Sequence, residues 1–353
     1  MKRLVIDKHA VRANLNAVKN RAGEAVIYAD LSGDAYGLGL LETARILLDG
    51  GINNFAVSEA ADAALLRRSG FEHSRIMMVR STADPGELNT LIDLGVICTV
   101  GSYDAAVAIN GIAESRGTVC EVQIKIDTGM GRYGFMSTEM DKIIGLFRYM
   151  ANLAVVGVYT TFAQSWRSKK FTEQQYDVFV QVVNEIKERG YEPGSVQCLD
   201  SAALFNYEFD KMDAVRIGTA FSGRTPGKPI QSLNKVGYIE ASVEEVGWFP
   251  KGHRFGGKKT LRKPARLAVI SVGFFHGFGL SRHDADSRIY ETFRNSHRRL
   301  TVKVNGRRAK VMGSVGMMHT VVDVTRIKCS VGDRVVMDVD PVNVKGLPRE
   351  YIG

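Results

Sequence analysis

The sequence predicts an α/β protein: a (β/α)8 TIM-type barrel over residues 8–225, followed by a C-terminal, mainly antiparallel β domain built from residues 1–7 and 230–353. Three observations predict it. Eight short, near-continuous apolar runs occupy the first two thirds of the chain, the mark of strands buried on both faces. Helix-period stretches separate them. After about residue 225 the helical periods stop, and β-branched runs follow one another across short turns.

In chain order, RLVID from Arg3 reads as a short strand before a helix over Lys8–Asn20, free to pair with the later sheet. The eight barrel runs are AVIYADL from Ala25, NFAVSE from Asn54, RIMMVR from Arg75 and ICTVGS from Ile97, then VQIKIDT from Val122, AVVGVYTTF from Ala154, SVQCLD from Ser195 and AVRIGTAF from Ala214. Between them, Thr43–Leu48 and Glu59–Leu66 place apolar residues on one face. Val178, Phe179, Val182, Val183 and Ile186 do the same within Phe171–Arg189. Gly50-Gly51, Gly70, Gly95 and Gly190 stand where helices stop. An open doubly wound sheet is the alternative; the count of eight and the lack of a GxGxxG turn disfavour it. Beyond the barrel, YIEASVEEVGWF, RLAVISVGFF, LTVKVNG, AKVMGSV, TVVDVT and DRVVMDV read as strands. Turns fall at Asn305-Gly306 and Val331-Gly332-Asp333, and an exposed basic loop at Gly252–Pro264.

Composition narrows the function classes. The chain has 353 residues, 45% hydrophobic and 24% charged, which excludes wholesale disorder. It holds no apolar stretch of about 18 residues, so no membrane span is expected. The start, MKRLVIDKHAVRANL, turns charged too soon for a secretory signal, which implies a cytoplasmic protein. Cys98, Cys120, Cys198 and Cys329 are far apart in sequence, show no metal spacing and read as buried thiols; no metal is expected. The net charge of +9 is uneven: residues 251–310 carry 16 Lys and Arg against 3 Asp and Glu. That segment reads as a solvated face, and with no nucleic-acid-binding motif a nucleic-acid partner is not expected.

In a barrel of this kind the chemistry sits at the C-terminal ends of the strands. The residues placed there are Asp30–Tyr36, Arg80, Asp127–Arg132, Thr160–Gln164, Asp200-Ser201 and Arg216–Thr219. Three motifs fall among them: DAYGLG after the first strand, KIDTGMGRYGF after the fifth and VRIGTAFSG at the eighth. In the β domain, SVGFFHGFG and VMGSVGMMHTVVDVT stand out. Together and in this order the five resemble the alanine racemases, fold-type III enzymes that use pyridoxal phosphate (PLP).

The resemblance implies a cofactor lysine four positions before the tyrosine of the AYG motif; that position is Ser32, and no lysine occurs between Lys19 and Lys125. The family's second base is a tyrosine, here Phe274. Its ring-stacking histidine corresponds to Thr161, and the asparagine of its phosphate-binding Asn-Ser pair to Asp200, with Ser201 kept. The Tyr-Gly of its LYG motif is Ser222-Gly223, and its last phosphate-binding tyrosine segment is missing between VMDVDP and LPREYIG. By the same resemblance, Tyr36, Gly218 and Thr219 match phosphate contacts and Arg216 faces the pyridine nitrogen. Arg132 matches the arginine near the substrate carboxylate, Lys125 the often carbamylated lysine that supports it, and Met317 a methionine lining the substrate site. The family also implies a homodimer with a composite pocket.

These losses carry chemical consequences. A serine hydroxyl forms no imine with PLP. Two-base racemisation needs a proton-transferring group on each face of the reacting carbon, and a phenyl ring has no proton to give. A carboxylate at Asp200 repels a phosphate. No covalent cofactor is therefore expected, and PLP is disfavoured. The leading reading is a pseudoenzyme that binds a small carboxylate or amino-acid-like ligand at the barrel mouth. The alternatives are an active racemase using non-covalent PLP with His276 or Asp34 as substitute acid-base groups, cofactor-free chemistry at Asp34, Asp200 or His276, and a module binding an anionic polymer through its basic β domain.

Overall fold

The computed structural model describes residues 1–210, 212–255, 259–280 and 300–353. Residues 256–258 and 281–299 of the basic segment 251–310 lie outside the described residues. The chain divides into two compact units, residues 11–234 and residues 1–10 with 235–353.

In the first unit, eight parallel strands lie in the order β8-β7-β6-β5-β4-β3-β2-β9. They are β2 (Val26–Asp30), β3 (Asn54–Val57), β4 (Arg75–Ser81), β5 (Ile97–Val100), β6 (Cys120–Lys125), β7 (Leu153–Tyr159), β8 (Ser195–Gln197) and β9 (Ala214–Ile217). They are the eight apolar runs. The ends of the order meet where the Asp213 N–H donates to the Val196 carbonyl and the Arg216 N–H to the Leu199 carbonyl, closing the sheet into a barrel. Inside it Tyr28, Met77, Ile97, Tyr159 and Ala214 pack together, so the barrel is filled by side chains.

Helices alternate with the strands: α1 (Lys8–Ala22), α2 (Ser32–Tyr36), α3 (Leu40–Asp49), α4 (Ala60–Arg68), α5 (Pro85–Asp93), α6 (Tyr103–Ser115), α7 (Met140–Tyr149), α8 (Lys169–Glu188) and α9 (Ser201–Asn206). Their caps are local chemistry. The side chains of Asp84, Ser102 and Ser168 accept the third backbone N–H of α5, α6 and α8. In α8 the buried stripe is Phe179, Val182, Val183 and Ile186, with Thr172 and Gln175 beside it. No described helix is long and apolar enough to cross a membrane.

The second unit is an eight-stranded sheet. Its strands are β1 (Lys2–Asp7), β10 (Tyr238–Phe249), β13 (Ala265–Ile270), β14 (Thr301–Val304), β15 (Arg307–Val311), β16 (Thr320–Asp323), β17 (Arg334–Asp338) and β18 (Arg349–Ile352). The long β10 pairs antiparallel with β1, β13 and β17, with an irregular register between Val243 and Glu245. RLVID does join this sheet. Its other neighbour is β18, in parallel register, a strand the sequence did not reveal. The segment expected as an exposed loop, Gly252–Pro264, instead carries a two-residue ladder between β11 (Arg254–Phe255) and β12 (Lys259–Thr260). Leu261 there is buried against Ala265 and Leu267, with Phe249, Phe255, Met312 and Val321 around them.

Candidate active site

At the C-terminal ends of the barrel strands lies a cavity of about 440 Å³. Of the residues the resemblance marks, it is lined by Ser32, Tyr36, Lys125, Arg132, Thr161, Asp200, Ser201, Arg216, Gly218 and Thr219, and of the other strand-end residues by Asp30, Arg80, Met130 and Phe162. Phe274, His276 and Met317 belong to the second unit.

Ser32 opens α2, which is not an ordinary helix. Gly33, Asp34, Ala35 and Tyr36 all have φ between 54° and 62°, a single left-handed turn. For residues other than glycine this costs about 1–2 kcal/mol each. Surrounding bonds hold it: the Ala35 N–H donates to the Leu31 carbonyl, the Gly37 N–H to the Gly33 carbonyl and the Leu31 N–H to the Ala56 carbonyl. The Asp34 carboxylate accepts the Leu40 N–H at 2.7 Å, so its oxygen is engaged at the start of α3. The turn places Ser32 and Tyr36 at the cavity. The Ser32 Oγ is buried there without a hydrogen-bond partner. The Tyr36 ring lies so close to Gly218 that a Cβ on Gly218 would stand 2.3 Å from it.

Asp200 caps α9. Its Oδ1 accepts the N–H groups of Ala202 at 2.9 Å and Ala203 at 2.8 Å, and the Ser165 hydroxyl donates to it at 2.9 Å. Withdrawal from water still pushes this carboxyl above the usual range, against the pull of the Ala203 amide, Ser165 and Arg216. Beside it, Ser201 Oγ accepts the N–H groups of both Gly218 and Ala220 at 3.1 Å. Arg216 donates to Thr161 Oγ1 at 2.6 Å, stands 3.9 Å from Asp30 and lies over the Tyr159 ring. Ser222 is buried, its hydroxyl donating to the Thr219 carbonyl at 2.8 Å.

The loop after β6 places Arg132. Asp127 Oδ1 accepts three successive N–H groups, from Gly129, Met130 and Gly131. Burial opposes its charge, but those amides and Lys125 hold its carboxyl below the usual range. The Phe135 N–H donates to the Lys125 carbonyl and the Gly134 N–H to the Gly101 carbonyl, pinning the loop's return. Arg132 is exposed at the cavity edge and makes no ion pair with a described residue.

Lys125 is 3% exposed and donates to the Arg132 carbonyl at 3.1 Å. Burial, then Arg216 and Arg132, lower its pKa to about 8, with Asp127 pulling the other way. The native state therefore binds fewer protons than the unfolded chain between about pH 8 and the ordinary lysine value of 10.5, and stability rises with pH across that window. Lys125→Met is expected to abolish this rise and to raise the unfolding free energy at pH 7 by roughly 1–3 kcal/mol, since it removes a buried, unpaired charge. Urea unfolding at pH 7 and pH 9.5 checks both.

His276 is buried in the second unit, its Nδ1 accepting the Gly273 N–H and its Nε2 3.1 Å from Lys2 Nζ. Burial, then the neighbouring Lys2 and His319, lower its pKa and so disfavour the charged ring. Phe274 and Met317 are exposed there. Asp30, Ser58, Tyr133, Ser165, Trp166 and Pro226 also line the cavity, and sequence reasoning gave none of them a role. Only Asp30, at a strand end, carried a positional signal.

Comparison with known proteins matches this architecture throughout. Residues 6–226 match the family described as alanine racemase, N-terminal domain, and residues 236–345 match alanine racemase, C-terminal domain. The alanine racemase of Methylacidiphilum infernorum is 28% identical over 338 residues, covering 94% of this chain and 82% of that protein. That of Clostridium tetani is 27% identical over 358 residues, covering 99% and 88%. The crystal structure of alanine racemase from a D-cycloserine-producing Streptomyces lavendulae superposes with a TM-score of 0.87 at 24% identity, over 100% of this chain and 97% of that one. This chain is a member of the alanine racemase family.

Proposed function

We propose that this protein is a non-racemising member of the family, a pseudoenzyme that holds no covalent PLP and binds a small carboxylate or amino-acid-like ligand at the barrel mouth. The observation that carries this reading is Ser32. It lines the cavity at the position that the resemblance gives to the family's lysine, and among the described residues Lys125 is the one lysine that lines it. The phosphate side of the cavity also argues against PLP. Of the two amides the resemblance assigns to phosphate, that of Gly218 is satisfied by Ser201, and the Asp200 carboxylate stands beside it. The ligand's carboxylate is assigned to Arg132, an unpaired guanidinium at the edge, with Arg216 deeper in. The names of the relatives favour a second reading, an active racemase with PLP held non-covalently.

The protein works in the cytoplasm as a homodimer in this proposal. The exposed apolar side chains Phe274, Phe275, Leu280 and Met317 supply the kind of surface a partner copy covers. Isothermal titration with L-alanine, D-alanine and propionate tests the ligand. Saturable binding is expected, weakened roughly 10- to 100-fold in Arg132→Ala, the loss of one charge-assisted contact. Binding that ignores Arg132→Ala would contradict the assignment.

A further inference from the structure

The pocket reading leaves Lys125 without a task, and its surroundings are unusual for a lysine. It stands at the end of β6, lines the cavity and is 3% exposed. No described carboxylate lies within ion-pair distance of it. Its Nζ lies 5.4 Å from the centre of the Tyr133 ring and 5.9 Å from that of Tyr159, and its one hydrogen bond goes to the Arg132 carbonyl. Three guanidiniums border the same cavity: Arg80, which is paired with Glu87, and Arg132 and Arg216.

We propose that Lys125 is a covalent docking residue, forming an imine with the carbonyl of a small α-keto acid whose carboxylate is held by Arg132. This deepens the carboxylate-pocket reading and rests on it.

The chemistry follows from the geometry. Desolvation and neighbouring positive charge favour the neutral amine, the form that attacks carbonyls. The Nζ lone pair adds to the carbonyl carbon, forming the C–N bond. The carbonyl oxygen collects the two amine protons and leaves as water, and the C=N bond remains. No oxidant or reductant enters. A carboxylate anchored at Arg132 would hold an α-carbonyl near the lysine that precedes it by seven residues and is bonded to its backbone, raising the effective concentration of the reactants. Trapping is expected to grow as pH rises through about 8, where the amine loses its proton.

The test uses the full chain, pyruvate as the carbonyl compound and borohydride to reduce the C=N bond, followed by peptide mapping. One carboxyethyl adduct per chain on Lys125, suppressed by excess lactate and absent in Lys125→Arg, is the expected result. Adducts scattered over surface lysines, or none, with Lys125 unmodified, would overturn the proposal. Calorimetric binding of lactate, which has no carbonyl, separates the two readings. If lactate binds and Lys125 stays unmodified, the imine falls and the carboxylate pocket stands. If neither occurs, both fall.

Discussion

The purified protein is expected to convert L-alanine to D-alanine at no measurable rate, and Ser32→Lys alone is expected to leave it so. Proton exchange at the α-carbon needs one group on each face able to take and return a proton near neutral pH. At the two positions that the family resemblance assigns to these groups, Ser32 offers an alcohol and Phe274 no exchangeable proton. Each missing acid-base group typically costs 10² to 10⁴-fold, so restoring one leaves a large deficit. The informative series adds Phe274→Tyr to Ser32→Lys and then Asp200→Asn. Asp200→Asn keeps a side-chain oxygen for the Ala202 and Ala203 amides while removing the charge, so α9 stays capped. PLP affinity is expected to improve mainly at that last step, and any racemisation to need all three changes. Substantial D-alanine formation by the unmodified protein, measured in a host without its own racemases, would overturn the non-racemising reading and promote the non-covalent PLP alternative.

The second large effect is expected from Gly134→Ala. Gly134 has φ of 101°, a left-handed value that penalises an alanine side chain. A Cβ there would stand 2.6 Å from the Asp127 nitrogen and 2.9 Å from the Ile126 carbonyl carbon. Both are backbone atoms of the strand end and loop, so neither can step aside as a side-chain tip can. Strain and overpacking together make a loss of about 3–5 kcal/mol the expected outcome, read as a drop in the urea midpoint. Because the same loop carries Arg132, propionate binding is expected to weaken in whatever fraction still folds. A variant with unchanged stability would show that the loop is not pinned where its hydrogen bonds place it.

The barrel was legible because its strands are buried on both faces and so appear as apolar runs. The β domain was legible because its strands alternate and its turns carry glycine. β18 was not, because REYI is an edge strand of four residues, half-buried at most, and offers no apolar run. The cavity was legible in its strand-end residues, whose position follows from topology. Its second ring was not: Ser165 and Trp166 sit on the loop after β7, and nothing in AQSW shows that Ser165 turns toward Asp200. Asp200 carried two messages. As a phosphate contact it reads as a loss, whereas Asp before SAALFN is also an ordinary helix N-cap, the role its side chain fills. Gly134 falls inside the KIDTGMGRYGF motif, but its left-handed backbone is a property of the folded loop.

The cavity is expected to hold no PLP. The most direct measurement is the visible absorption and bound-PLP stoichiometry of the full chain, purified by gel filtration from cells grown with ample pyridoxine. A colourless protein with PLP far below one per chain is the expected result. A yellow protein carrying close to one PLP per chain through the column would contradict it.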